Sequence, residues 1–291
     1  MVSTVSDTAR WIAAYRAIES ARPDALFHDQ LADRLAGERG HAIAAAAPPI
    51  SWALVARTKV IDDLIMAAIS DGCDRVLNLA AGLDTRPYRL DLPPDLTWIE
   101  ADLPALLTEK ERLLAGQTPR CRLSRQAVDL ADTADREAFL IAALAGAKKA
   151  LVLTEGLLMY LPERNVSALS AAFTRPEIGW WVFDLWGAGL RKWMDKKTKA
   201  MMQNAPFTFA PRNGVAHFEN LGWTTVDVKS LLNAADRFHR LPLGFRFLAR
   251  LPQPDPRKPG NTRWNAVVSL THSAAAEHDH STPTESPGTW R

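Results

Sequence analysis

Cysteine is scarce in this chain: Cys73 and Cys121 are the only two in 291 residues. Two thiols make neither a disulfide framework nor a metal-ligand set, and they fit a reducing, cytoplasmic setting with both groups structural. No run of about 18 apolar residues occurs, which removes a membrane-spanning helix. The opening Met1-Val2-Ser3-Thr4-Val5-Ser6-Asp7 has no basic region followed by an apolar core, so no signal peptide is expected. Neither sign of charge is in surplus: 35 Lys and Arg face 33 Asp and Glu, a net +2. Nucleic acid is therefore not expected as the main partner, and without a spanning segment neither is a membrane. The dinucleotide fingerprint G-x-G-x-x-G is missing, and so is an acid cluster able to hold a metal. With 47% hydrophobic residues, what remains is one large α/β domain with an elaboration, or at most two domains.

What is present begins at Arg75-Val76-Leu77-Asn78-Leu79-Ala80-Ala81-Gly82-Leu83-Asp84-Thr85-Arg86. Val76, Leu77 and Leu79 read as a buried parallel strand covered on both faces. The strand breaks at Ala80-Ala81-Gly82, where small side chains let the backbone approach a ligand and Gly82 can take φ > 0. Ligands of open α/β sheets bind beyond the carboxyl ends of strands. A second strand, Thr97 to Glu100, leads to Ala101-Asp102-Leu103-Pro104. Asp102 follows the glycine turn by about 20 residues, where nucleotide-binding folds place the acid that accepts from both ribose hydroxyls. Glu100 would share its face, and Asp102 is preferred because it lies at the strand end. Asp84 sits where a pyrophosphate would need the positive end of a helix. A nucleoside without phosphate, carrying a positive sulfonium and an amino-acid tail, tolerates that carboxylate. S-adenosylmethionine is such a ligand.

Three stretches carry a family resemblance: Leu79-Ala80-Ala81-Gly82-Leu83-Asp84-Thr85-Arg86, Glu100-Ala101-Asp102-Leu103-Pro104 and Thr154-Glu155-Gly156-Leu157-Leu158-Met159-Tyr160-Leu161. In this order they resemble the leucine carboxyl methyltransferase family, and the bacterial small-molecule branch with its polyketide-tailoring O-methyltransferases more closely. The resemblance spans roughly residues 5 to 272. It implies that a basic residue of the first helix, Arg16 here, and Arg57 of Ala56-Arg57-Thr58 meet the methionine carboxylate of the cofactor; a guanidinium fork suits that task. It implies an Asp-Leu pair, Asp129-Leu130, for adenine, and Glu155 for cofactor contact. Ala80 and Gly82 would line the turn, with Asp102 on the ribose. Ala80 stands where the eukaryotic phosphatase-methylating members carry glycine, which makes protein C-terminal carboxyl methylation the less favoured alternative.

The remaining pattern supplies the frame. Helices are expected over Asp7–Ser20, Asp29–Leu35, Ser51–Ser70 and Pro104 to about Ala115; an alanine-rich stretch runs to Ala47. Further strands are expected over Arg120–Val128, Ala150–Leu153, Trp180–Trp186, Trp223–Val228 and Trp264–Thr271, with helices from Pro162-Glu163, over Leu190–Gln203 and around Val215–Leu221. Together with the resemblance this implies an α/β fold of the class I methyltransferase kind. It has a Rossmann-like seven-stranded sheet with its last strand antiparallel, an N-terminal helical cap (1–70) and a core (74–272). A helical insertion after the fifth strand forms a lid at about 187–210. The stretch 273–291, rich in Ser, Thr, Pro, Glu and His, reads as a disordered tail without a metal site.

Methyl transfer from a sulfonium is an in-line displacement in which the protein aligns nucleophile, methyl and sulfur and excludes water. A carboxylate acceptor needs no general base, a phenol can need one, and an aliphatic alcohol certainly would; the missing base favours a carboxylate or an acidic phenol. No histidine stands beside the glycine turn; His217 is the nearest and reads as structural. Glu155 and Tyr160 are the candidate catalytic groups. Tyr160, Asp184 and Trp186 point toward the substrate cleft, and tryptophans between 180 and 193 suggest an aromatic or apolar pocket. The expected activity is S-adenosylmethionine-dependent O-methylation of a carboxylate or acidic phenol of a small molecule in secondary metabolism, by a monomer or homodimer. Rival readings are a catalytically idle cofactor-binding partner protein and an NAD(P)-dependent oxidoreductase.

Overall fold

Alternation decides which side of the sheet each strand residue serves. In β1 (Arg75–Leu79), Leu77 and Leu79 pack on one face and Val76 on the other. The same alternation divides Val152 from Leu151 and Leu153 in β4 (Ala150–Thr154) and Phe183 from Val182 in β5 (Ile178–Trp186). Both faces are covered, which is why these strands read as continuous apolar runs.

The computed structural model describes residues 5–48, 50–198 and 206–272. Three helices come first: α1 (Val5–Ser20), α2 (Ala32–Ala46) and α3 (Ser51–Ser70). The core then alternates: β1, α4 (Arg86–Arg89), β2 (Thr97–Asp102), α5 (Pro104–Leu113), β3 (Arg122–Ala127), α6 (Thr133–Leu144), β4 (Ala150–Thr154), α7 (Glu163–Ala172) and β5 (Ile178–Trp186). After β5 come α8 (Ala188–Thr198), α9 (Ala216–Glu219), β6 (Trp223–Ser230), α10 (Leu231–Arg237), α11 (Arg246–Ala249) and β7 (Asn265–His272). Seven strands form one sheet in the order β3-β2-β1-β4-β5-β7-β6. β7 is antiparallel to both β5 and β6, and the other pairs are parallel. The expected seven-stranded sheet with an antiparallel last strand is the one observed.

Boundaries differ where tertiary context outweighs local pattern. The short helix expected to end at Leu35 continues to Ala46, because Gly37 at φ 55° absorbs a kink and lets the chain go on. β2 extends to Asp102, pairing with Ala127 of β3. Four helices are absent from the sequence reading, the short α4 and α11 and the longer α6 and α10; the last two are capped by Asp132 accepting from Asp135 N–H and Ser230 accepting from Asn233 N–H. The helix expected over Leu190–Gln203 is observed to Thr198; positions 199–205, including Lys199, and the expected tail 273–291 lie outside the described residues.

A third apolar cluster lies apart from the two sheet faces. It joins Trp11 and Tyr15 of α1 and Ile43 of α2 to Met159, Met194 of α8 and Phe207. The helical cap and the segment after β5 thus meet through aromatic and thioether side chains. No described helix is long and apolar enough to cross a membrane.

Candidate functional site

The turn after β1 is built from left-handed backbone. Ala80 has φ 54° and Gly82 φ 49°. For glycine this conformation is free of strain; for alanine it costs energy and marks a position held by its surroundings. Ala80 N–H donates to Ala101 O at 2.8 Å, and Gly82 N–H donates to Asp102 Oδ2 at 2.7 Å. The other carboxylate oxygen, Oδ1, accepts from Leu103 N–H at 2.7 Å. Asp102 is only 6% exposed. Burial pushes its pKa up, and the two N–H donors offset that only in part. Each oxygen keeps lone-pair capacity for a further donor. Glu100, its neighbour in β2, is fully buried and its charge is met by two cations, Lys110 and Arg125, both at 2.8 Å. The preference for Asp102 over Glu100 is therefore the one the geometry supports.

Beside this turn lies a buried network of arginines and carboxylates. Arg86 Nη1 contacts Asp84 at 2.8 Å and Glu155 at 2.7 Å, and its Nε donates to Asp62 at 2.7 Å. Arg89 donates to both oxygens of Asp62 at 2.7 Å. Arg57 Nη1 donates to Asp184 at 2.9 Å, and its Nε lies 3.0 Å from Glu155 Oε1 without hydrogen-bond alignment. Three guanidiniums meet four carboxylates, leaving one negative charge in excess. Burial alone would raise the carboxyl pKa values, but Arg86 with Lys110 and Arg89 holds Asp84 well below the ordinary range. Arg86 and Arg57 likewise hold Glu155 low. Asn78, a polar residue within buried β1, donates to Asp84 Oδ2 at 2.8 Å, and Asp84 Oδ1 accepts Arg86 N–H at 2.8 Å. Asp84 thereby occupies the start of α4 with a carboxylate.

The individual expectations fare differently. Arg57, expected on the cofactor carboxylate, lies on α3 facing Gly156, with no hydrogen bond to its Nη2 found among the described residues. Arg16 lies against the turn, but its Nε donates to Asp29 at 2.8 Å and its Nη2 to Leu83 O at 2.6 Å. Asp29 also accepts from Thr85 Oγ1 at 2.5 Å. Arg16 here ties the first helix to the turn. Asp184, expected toward the substrate, is instead buried: its Oδ1 accepts Gly156 N–H at 2.7 Å and its Oδ2 holds Arg57. Its part in this arrangement is to orient Arg57 and the Glu155-Gly156 turn. Asp129 is exposed and accepts Ala131 N–H at 2.9 Å through one oxygen, while no partner for Leu130 N–H is found among the described residues.

Tyr160 stacks on Phe207 (5.4 Å between centroids, 28° between planes), and Phe207 packs on Trp186 at 4.7 Å. Burial pushes the Tyr160 hydroxyl pKa up; Arg57 pulls it down and Asp184 pushes it further up. The tryptophans split by role. Trp181 is core, edge-on to Phe173 and donating to Thr154 at 2.9 Å, and Trp180 carries Lys149 on its face. Trp186 and Trp193 join the cluster between cap and α8. His217 packs against Phe209 and Phe218 with its pKa lowered by burial, as a structural residue would. No group of acids, histidines or cysteines able to hold a metal is found among the described residues.

Residues 9–174 match the leucine carboxyl methyltransferase family. This chain belongs to that family. Similar proteins include one from Mycolicibacterium smegmatis, 36% identical over 200 residues covering 60% of this chain and 66% of that one. Another, from Streptomyces coelicolor, is 36% identical over 188 residues covering 58% of this chain and 64% of that one. Both are named, provisionally, as S-adenosyl-L-methionine-dependent methyltransferases. The chain spans less than two thirds of the length of these curated relatives. Among solved structures, a provisionally named methyltransferase from Thermobifida fusca superposes with TM-score 0.56 at 16% identity, covering 91% of this chain and 94% of that one. A DUF574-family protein from Streptomyces avermitilis does so with TM-score 0.56 at 13% identity, covering 91% and 97%. These likenesses share the fold. The family match takes in Arg57, the glycine turn, Asp102, Asp129 and Tyr160, and stops before Asp184, Trp186 and Phe207.

Proposed function

We propose that this chain is an S-adenosylmethionine-dependent methyltransferase that acts on an oxygen of a small molecule, a carboxylate or an acidic phenol. The observation that carries the cofactor is the left-handed Ala80–Gly82 turn closed by Asp102, with the Arg57 network beside it. The residues present fit the group. Asp102 offers a carboxylate to vicinal hydroxyls, and Leu130 N–H with Asp129 offers a donor and an acceptor to a purine edge. Arg57 Nη2 offers a donor to a carboxylate. The single excess negative charge of the network suits a ligand whose sulfonium leaves it cationic. Asp84 at the start of α4 disfavours a dinucleotide phosphate in the same place. The names of the relatives agree with this cofactor.

When bound, the cofactor supplies the electrophilic methyl group. The chain's own residues do the holding. Asp184 and Glu155 fix Arg57, and Arg86 fixes Glu155 and Asp84, so the cradle is set before ligand arrives. Neither candidate base is suited to strong proton abstraction. Glu155 is ionised yet clasped by two guanidiniums, and the raised pKa of Tyr160 keeps its hydroxyl a donor. That favours an acceptor oxygen already ionised near neutral pH. Tyr160 then orients the acceptor, and Trp186 and Phe207 supply an apolar wall that excludes water. The setting in secondary metabolism follows from the small-molecule branch that the sequence resembles.

The test is a thermal shift with S-adenosylmethionine and, separately, NADH, followed by a panel of acids and phenols. A ligand at 100 times its dissociation constant adds about 2.7 kcal/mol, roughly 2–4 °C per kcal/mol for a domain near this size. A rise with S-adenosylmethionine and methylation within the panel is expected. A rise with NADH alone would overturn the reading of the turn. A rise with S-adenosylmethionine and no turnover on any acid or phenol would favour an idle cofactor-binding protein.

A further inference from the structure

The connection from β6 to β7 leaves and re-enters the sheet at one edge. β6 runs parallel to β5, so this is the carboxyl edge that also carries Gly82 and Asp102. Within it, large apolar side chains face outward: Leu243 is 83% exposed, Phe245 46%, Phe247 61% and Leu251 53%. Nine large hydrophobic residues are exposed among the described residues, and four of them fall in these nine positions. Scattered exposed apolar groups need no explanation, but a concentration of them does.

The projection is anchored. Arg240 at its base is clasped by Glu19 and Asp24, and Arg246 meets Asp236 at 3.2 Å. Ala249 packs with Phe238 and Leu241 on the α3 side of the sheet. Phe245 N–H donates to Pro242 O and Arg250 N–H to Phe247 O, so two successive turns hold the apolar tips outward.

Arginine dominates its charge between the flanking Asp236 and Asp255. From Arg237 to Pro254 there are four arginines and no acidic residue. Arg237 and Arg250 are exposed and make no ion pair among the described residues. A surface that joins protruding Leu and Phe to unpaired guanidiniums complements an anionic lipid interface, which takes the apolar tips below its headgroups and the cations at them. A second copy of the chain is the poorer match, because a two-fold contact through this segment would set arginines against arginines.

We propose that Leu243, Phe245, Phe247 and Leu251, with Arg237 and Arg250, dock this protein on anionic lipid bilayers. This goes against the expectation of no membrane partner, which rested on the absence of a spanning segment. The contact is peripheral and independent of the proposed methyl transfer.

Flotation of the full chain with phosphatidylcholine vesicles, and with vesicles of equal parts phosphatidylcholine and phosphatidylglycerol, tests it. The protein should float with the mixed vesicles and be released as salt is raised. The double variant Leu243→Ser/Phe247→Ser should partition about tenfold more weakly or worse. Arg237→Glu/Arg250→Glu should lose the preference for anionic lipid. All these side chains are exposed, and an unchanged thermal shift with S-adenosylmethionine shows that the fold and ligand site are intact. Three outcomes overturn the proposal. One is no flotation with either vesicle. A second is equal flotation of the serine variant. The third is retention on polyglutamate, or a concentration-dependent dimer that the serine variant dissociates, without flotation; this would assign the surface to an acidic protein or to a second copy.

Discussion

Asp84 and Asp102 flank the same turn, are both withdrawn from water, and have their pKa values moved in opposite directions. Burial raises both. Around Asp84 the guanidiniums of Arg86 and Arg89 and the ammonium of Lys110 more than reverse it. Around Asp102 there are two backbone N–H groups and only a lesser field from Lys110, and the value stays raised. The first carboxylate is saturated by protein charge and serves the architecture. The second is held in place but left short of compensation, which is the condition of a group kept for a ligand. Side-chain type and burial do not separate them; the neighbours do.

The sharpest way to break the network side of this comparison is Arg86→Met. It removes the one cation that touches Asp84, Glu155 and Asp62 together. Removing one partner of a buried ion pair costs about 3–5 kcal/mol, and a fall in melting temperature of roughly 10 °C should follow. A loss of only one or two degrees would mean that water or rearrangement already compensates these carboxylates, and the rigid cradle would have to be abandoned.

Next come the two aspartates themselves. Asp84→Asn should cost about 2–3 kcal/mol of stability, since it strips a charged acceptor from Arg86 and Asn78. Asp102→Asn should leave stability within about 1 kcal/mol but weaken S-adenosylmethionine binding about 10²-fold, the loss of two hydrogen bonds to a charged acceptor. The pH dependence separates them again. The lowered pKa values of Asp84 and Glu155 give stability that is full above the ordinary carboxyl range, about 4, and is lost as pH falls through their folded values. Asp102 has the opposite sign: its raised pKa favours the fold when protonated, and that contribution is lost as pH rises through the raised value. Cofactor binding needs the ionised form, so affinity should fall on acidification at a pH above that of an ordinary aspartate. Titration calorimetry across pH 4–7 checks it; a flat profile would remove Asp102 from the ribose.

Much of this was legible in the sequence, because buried strands and small-residue turns write themselves locally. β1, the glycine turn and α3 fall where the pattern puts them. The distance from the turn to Asp102 is set by one strand–helix–strand unit. What the sequence hides is pairing. Asp62, Arg86 and Asn78 look like ordinary helix, turn and strand residues, and only the fold brings Asp62 and Glu155 onto Arg86 and Asn78 onto Asp84. Asp184 could be placed at a strand end but not aimed, since its target, Arg57, lies more than a hundred residues earlier. For Arg16 the clue was present: Asp29 and Thr85 are both polar residues beside apolar runs, yet no local rule links them. The tryptophans of β5 show the limit of composition, for strand alternation sends Trp181 into the core while Trp186, at the strand's end, joins the cap-side aromatic cluster.

The smallest effect probes the turn itself, where Ala80 and Gly82 share one backbone conformation with different side chains. Gly82→Ala places a Cβ in ordinary contact, 3.5 Å from Ala9 Cβ, so the protein alone has room for it. The left-handed backbone then costs about 1–2 kcal/mol, a few degrees in melting temperature. Ala80→Gly runs the other way: it relieves the same strain and loses part of the gain to the freer unfolded chain, a net stabilisation of about 0.5–1 kcal/mol. If shape at Gly82 matters only to the fold, the two variants should shift stability with opposite signs and leave cofactor affinity alone. Should Gly82→Ala lose cofactor binding far beyond its stability cost while Ala80→Gly keeps it, the missing Cβ serves the ligand. The turn then divides as the aspartates do, into one position that answers to the fold and one that answers to what binds there.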